Sequence, residues 1–212
     1  MSHAAENTAA PEPLVLEHYE PSEAGQRAAL RSGDLLGPMR FAYADPPYLG
    51  QGVKHYGDRH ENAADCDTVE WHAQLVRRLC AEYPDGWAMS LSAPSLHEIL
   101  PLCPKDCRVM AWVKPFAAFK PGVGVAYAWE PVIVRGGRKR TRQQPTVRDW
   151  HSENITLKKG FPGAKPEGFT LWILDVLNAQ HGDTVDDLFP GSGAVGRAIE
   201  RWRSQGLLSL SA

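Results

Sequence analysis

No stretch of the 212 residues approaches the ~18 consecutive apolar positions of a helical membrane span, so an integral helical membrane protein is excluded. The opening MSHAAENTAAPEP has no basic stretch leading into an apolar run, so a secretory leader is not expected and the cytoplasm is the expected location. Cysteine is scarce. Cys66, Cys80, Cys103 and Cys107 are too few for a disulfide-built scaffold. Cys103 and Cys107 lie four apart, and no second close pair exists, so no metal is expected. A charge excess is also missing. The 23 Lys and Arg against 25 Asp and Glu leave a net of −2, which argues against a generic nucleic-acid coat protein. Internal repeats are absent. What remains is ordinary globular material, 43% hydrophobic and 23% charged, enough for one sizeable core. The reading is a loose tail over 1–13 and a single domain over 14–212.

The small net charge hides an uneven distribution. Residues 135–165 hold nine basic and two acidic residues, a local +7 that leaves −9 for the rest and points to a polyanionic partner. Apolar runs bounded by turn residues predict strands at 14–16, 39–44, 87–91, 108–113, 130–135 and 184–188. Helical spacing predicts helices at 22–31, 67–83, 94–100, 167–179 and 194–204. Residues 46–66, with Gly50, Gly52 and Gly57, read as a long functional loop, and the basic segment also reads as loop. Alternating strands and helices make this an α/β protein with helices on both faces of a sheet.

Two segments carry chemistry. Asp45-Pro46-Pro47-Tyr48 follows directly on the strand at 39–44, at the strand end where ligands of open α/β sheets bind. The prolines fix φ and carry no N–H, so their carbonyls are left as acceptors beside the Asp45 carboxylate. Two such acceptors can grip the exocyclic amine of a base while Tyr48 stacks on its face. An ordinary strand-exit turn is the other reading of this tetrapeptide. The second segment, Asp187-Leu188-Phe189-Pro190-Gly191-Ser192-Gly193, joins a strand to a helix. Glycines there let a cofactor approach the backbone. The third glycine of a dinucleotide fingerprint is missing, which weakens a nicotinamide reading.

Together the two segments resemble the amino-group DNA methyltransferases, which use S-adenosylmethionine. In that family a D/N/S-P-P-Y/F/W tetrapeptide holds the target amine, and a D-P-F-x-G-x-G turn holds the methionine part of the cofactor. Asp45, Pro46, Pro47 and Tyr48 match the first in full. Asp187, Phe189, Gly191 and Gly193, with Ser192 between them, match the second, while Leu188 departs from its usual proline. Trp112-Val113-Lys114-Pro115, the strand led by Trp129-Glu130, and Lys165-Pro166 are similar to further motifs in the family's order, over about residues 33–205.

The resemblance implies a Rossmann-like methyltransferase sheet with circularly permuted, beta-like motif order. It implies a basic target-recognition segment inserted at about 135–165, with Arg138, Lys139, Arg140 and Arg142 on DNA phosphates and Trp150 reading bases. Lys165 is then expected on the cofactor side. The family's acidic strand after the glycine turn is missing here, so Glu17 or Glu20 is expected to replace the ribose ligand, with Asp34 near the adenine ring. The implied reaction is methylation of adenine N6 in DNA, inside a bacterial or phage-infected cell. Cytosine N4 is the alternative, as is an inactive nucleic-acid-binding subunit. No metal or membrane partner is expected, and a homodimer stays open.

Overall fold

Along Arg40–Ala44 the side chains alternate between two apolar faces, and this alternation organises the whole molecule. The computed structural model describes residues 37–56, 64–116, 122–155 and 164–210. Strand β1 (Arg40–Ala44) puts Phe41 and Tyr43 on one side, and Ala42 and Ala44 on the other. A single turn of helix, α1 (Gly52–Tyr56), interrupts the loop expected at 46–66. Helix α2 (Val69–Glu82) follows. The Thr68 hydroxyl caps it by accepting from the Trp71 N–H, as the polar residue ahead of the apolar periodicity predicts. Then come β2 (Gly86–Ser90), the short α3 (Leu96–Ile99) between two 3-10 turns, β3 (Arg108–Val113) and β4 (Trp129–Gly136). Strand β5 (Trp150–Ser152), helix α4 (Glu167–Val176), strand β6 (Thr184–Asp187) and helix α5 (Ala194–Leu210) complete the described chain. The strand at 14–16, the helix at 22–31 and the tail over 1–13 lie outside the described residues.

The six strands form one sheet in the order β5-β3-β4-β2-β1-β6. Only β4 runs against its neighbours; β1 is parallel to β2 and β6, and β5 is parallel to β3. Helices α4 and α5 cover the Phe41/Tyr43 face through Phe169, Trp172, Ile173, Val195 and Ile199. Helices α2 and α3 cover the other face, where Leu75, Leu79 and Ile99 meet Trp87 and Met89. The α/β expectation with helices on both faces therefore holds. Among the described residues no helix is long and apolar enough to cross a membrane.

This topology decides where loops emerge. The carboxyl ends of β1, β2, β3, β5 and β6 share one edge of the sheet. The helix after β1 lies on one face and the helix after β6 on the other, so the chain diverges between these two strands. Such a switch point opens a crevice at the carboxyl edge. Strand β4 instead ends at the amino edge, where Gly136 (φ 71°) crosses Gly86. A Cβ on Gly136 would stand 2.7 Å from the Asp85 carbonyl oxygen, so no larger residue fits this crossing.

Candidate active site

Register brings the two sequence motifs side by side. Tyr43 pairs with Asp187, and the Leu188 N–H donates to the Tyr43 carbonyl at 3.0 Å. Asp45 and the glycine turn thus leave adjacent strands at the same edge.

A closed charge network backs the tetrapeptide. The Lys165 ammonium, its side chain 4% exposed, lies 3.0 Å from Asp45 Oδ1, 3.2 Å from Glu130 Oε2 and 3.0 Å from the Tyr48 hydroxyl. Tyr48 donates to Glu130 Oε2 at 2.8 Å and approaches Asp45 Oδ1 at 3.2 Å. Lys114 Nζ closes the set on Glu130 Oε1 at 2.8 Å. Two cations meet two carboxylates, so the burial of each charge is offset by a hydrogen-bonded partner. The five groups arrive from four elements: Asp45 and Tyr48 from the exit of β1, Lys114 from the exit of β3, Glu130 from β4, and Lys165 from the entry to α4.

The shared charges set the ionisation of each member. Burial pushes the Asp45 carboxyl up; Lys165 opposes this and Glu130 adds to it. For Glu130 burial also pushes upward, but Lys165 and Lys114 overcome it and hold the carboxyl at about 2. Burial lowers the Lys165 ammonium, yet Asp45 and Glu130 leave it above the usual lysine value. The Tyr48 phenol is pushed well up by burial and by the two carboxylates, and stays protonated.

The glycine turn has a different character. Asp187 Oδ1 accepts from the Phe189 N–H at 3.3 Å, whereas Oδ2 is buried and has no hydrogen-bond partner among the described residues. The Gly196 N–H attracts it but falls short of a hydrogen bond. Burial raises the Asp187 carboxyl, and the Asp45 charge adds to that rise. Gly191 (φ 43°) and Gly193 (φ 69°) hold left-handed backbone that favours glycine. Among the described residues a Cβ on Gly191 would meet only the Phe189 carbonyl, at 3.7 Å, which leaves space beside it. The Ser192 hydroxyl accepts from the Ala194 N–H where α5 begins, and Phe189 packs on Trp71 of α2 at a centroid distance of 6.1 Å.

The predicted residues therefore divide. Asp45, Pro46, Pro47 and Tyr48 stand beside Asp187, Phe189, Gly191, Ser192 and Gly193 at one edge. Lys165, expected on the cofactor side, has its ammonium on the tetrapeptide. Glu17, Glu20 and Asp34 lie outside the described residues.

The basic run stands apart from this edge. It follows β4 and so emerges at the amino edge, roughly 23 Å from the other edge if the eight residues of β4 rise as an extended strand. Arg138 is buried, donating to Asp183 Oδ1 at 2.6 Å and to the Gly37 carbonyl at 3.1 Å. Arg140 donates to the Asp175 carboxylate and carbonyl and to the Pro145 carbonyl. Both cations stitch the loop to α4 and to the approach of β6. Lys139 and Arg142 are exposed at that same amino edge. Trp150, on the sheet's outermost strand β5, is 43% exposed, with the Arg148 guanidinium 5.2 Å from its ring. Glu130 and Lys114 are site residues that motif matching touched only as parts of strand motifs. The signal available for them was a charge at the carboxyl-edge end of a strand whose middle is apolar.

Neither the models of known protein families nor the curated proteins contain a match to this sequence. Solved structures do match. M1.HpyAVI in its complex with SAM aligns with a TM-score of 0.50 at 15% identity, covering 86% of this chain and 87% of that one. M1.HpyAVI alone gives 0.46 at 17% identity, over 88% and 85%. TTHA0409 of Thermus thermophilus, assigned as a DNA modification methylase, gives 0.48 at 18% identity, over 82% of each chain. At such identities the likeness is one of fold: this chain shares the α/β architecture of the M1.HpyAVI structure along most of its length.

Proposed function

We propose that this protein is an S-adenosylmethionine-dependent DNA methyltransferase that modifies the exocyclic N6 amine of adenine, with N4 of cytosine as the alternative target. One observation carries the reading: an acceptor-rich Asp-Pro-Pro-Tyr loop and an open glycine turn leave adjacent parallel strands at a topological switch point. In this reading the motif order is circularly permuted, with the target-binding loop ahead of the cofactor turn.

The residues present fit the cofactor. Among the described residues Asp187 Oδ2 is a buried acceptor with no hydrogen-bond partner, which suits the ammonium of an amino acid, and the space at Gly191 lets a ligand reach the backbone. Phe189 and Ser192 border that space, while Asp34 and either Glu17 or Glu20 are assigned to the adenine and ribose. S-adenosylmethionine supplies an electrophilic sulfonium methyl when bound.

The chain's own groups act on the other reactant. An aromatic amine is a poor nucleophile because its lone pair is delocalised into the ring. Asp45 and the Pro46 carbonyl, accepting its two N–H bonds, favour a more tetrahedral nitrogen and free that lone pair. The tetrapeptide is anchored at both ends, to β1 and to the Lys165–Glu130 network, so catalysis rests on positioning and fixed charge. The base leaves the duplex to reach this edge, and the Tyr48 ring, its hydroxyl tied by hydrogen bonds, offers it a fixed stacking surface.

The test is incubation with tritium-labelled S-adenosylmethionine and unmethylated genomic DNA, followed by mass spectrometry of the digested nucleosides. N6-methyladenine is the expected product, lost in Asp45→Ala while cofactor binding survives. N4-methylcytosine selects the alternative target. Cofactor binding without any methyl transfer refutes the enzyme and leaves a nucleic-acid-binding subunit.

A further inference from the structure

We infer that Lys165 is a positioning residue: it locks one carboxylate oxygen of Asp45 and the Tyr48 hydroxyl in place, so that the other Asp45 oxygen faces the target amine, and Glu130 with Lys114 holds Lys165 there. The inference rests on the function proposed above and assigns Lys165 to the target side of the site.

The geometry is specific. Asp45 Oδ1 is committed to Lys165 at 3.0 Å, with the Tyr48 oxygen 3.2 Å away, whereas no described residue donates to Oδ2. The carboxylate is thus half-occupied in a fixed orientation. A target amine needs one acceptor from Asp45 and finds one. The ammonium is walled by aromatic rings, 5.2 Å from the centroid of Trp112 and 6.0 Å from that of Phe169, so water does not compete for it. Glu130 is the counterweight. It takes the Tyr48 proton donor and shares Lys165, and Lys114 keeps it charged. Without Glu130 the ammonium has a single carboxylate, and Tyr48 loses the acceptor that fixes its ring. Lys165 also spans two parts of the chain, tying the entry of α4 to the exit of β1.

The charged and titratable groups around Asp45 are Lys165, Glu130, Tyr48, Tyr43 and Asp187. Removing Lys165 leaves burial and two neighbouring carboxylates, all favouring the protonated acid. Removing the Glu130 charge takes away one of those carboxylates. The two changes therefore move Asp45 in opposite directions.

The experiment is the pH profile of kcat/KM for methyl transfer to unmethylated genomic DNA, with wild type, Lys165→Met, Lys165→Arg and Glu130→Gln. An opposite charge at this range depresses a carboxyl by about 1–3 pH units, so Lys165→Met is expected to move the acid limb up by about one unit or more. Lys165→Arg is expected to restore it, and Glu130→Gln to move it down. Reduced activity with unmoved acid limbs in all variants would overturn the inference and leave Lys165 a structural residue. The second measurement needs no activity. Carbon-13 NMR titration of labelled aspartate, with the Asp45 signal identified by its loss in Asp45→Asn, is expected to show the same opposite shifts. If wild type transfers no methyl group, the proposed function fails, and this titration still decides whether Lys165 braces Asp45. If Lys165→Met does not fold, Glu130→Gln and Lys165→Arg carry the test, and a Glu130→Gln titration identical to wild type refutes the brace.

Discussion

Replacing Arg138 with methionine deletes a cation that the structure buries, and the consequence is large enough to measure without ambiguity. The Arg138 and Asp183 side chains are 5% and 1% exposed and meet at 2.6 Å. Asp183 keeps two backbone donors in the variant, Met39 N–H to Oδ1 at 2.7 Å and Gln180 N–H to Oδ2 at 2.8 Å. Removing one partner of a buried ion pair costs about 3–5 kcal/mol, because the remaining charge is stranded. The surviving N–H donors, and the lack of a partner for Arg138 Nε among the described residues, place the expected cost at the lower end, about 3 kcal/mol. For a chain of this size that corresponds to a fall in Tm of roughly 6–12 °C. Urea denaturation followed by tryptophan fluorescence measures it, provided the slope of the transition is unchanged. Arg142→Met, exposed in the same run, should stay within about 0.5 kcal/mol of wild type. Arg138→Met with Asp183→Asn should recover part of the loss, since no buried charge remains. A midpoint for Arg138→Met equal to that of wild type would refute the reasoning and return Arg138 to the solvated surface.

Three further outcomes follow from the site and its surroundings. Glu130 is held at about 2, below the ~4.3 of an unfolded glutamate, so its contribution is complete above pH ~4.3 and is lost as pH falls toward ~2; Glu130→Gln should flatten the acid-induced loss of stability, by up to about 3 kcal/mol, and parallel urea-midpoint curves for the two proteins would contradict this. Gly191→Val fills the open space beside Phe189 and forces a β-branched residue to φ 43°, so calorimetry on the folded variant should show S-adenosylmethionine affinity lost, and unchanged affinity would make the turn purely structural. Reversing Lys139 and Arg142 to glutamate should change DNA affinity less than twofold and leave its salt dependence intact, because both stand at the amino edge; a log–log slope reduced by about 0.9 per residue would place DNA there instead.

The elements with long apolar runs were readable from sequence. The runs at 39–44 and 108–113 became β1 and β3 because each buried residue there has a partner layer, whichever face it takes. The three residues of β5 were not readable: Trp150-His151-Ser152 is too short for a period, and its pairing with Ala111–Val113 is tertiary. Both chemical motifs were legible as strand-end turns, and the register that joins them was implied only by motif order. In one dimension a run of charges does not show which of its members is buried, as Arg138 is. The turn at Gly136 and Gly137, which carries it beneath the end of α4, becomes visible only with Asp183 beside it. Lys165 was found as a motif residue, but no local pattern states that its partner stands 120 positions earlier in the chain.

The pairing of β1 with β6 has a consequence for synthesis. During translation the outer edge of β1 emerges with its N–H and C=O groups unpaired, and the strand that satisfies them follows more than 140 residues later, as the Met39–Asp183 hydrogen bond marks. The tetrapeptide is therefore exposed on the ribosome long before Lys165 and the glycine turn exist. A nascent chain paused anywhere in that interval presents an open apolar strand as a template for other chains. Closure across so long a loop is entropically slow, so the edge where the tetrapeptide meets the glycine turn should be the last part of the maturing chain to assemble.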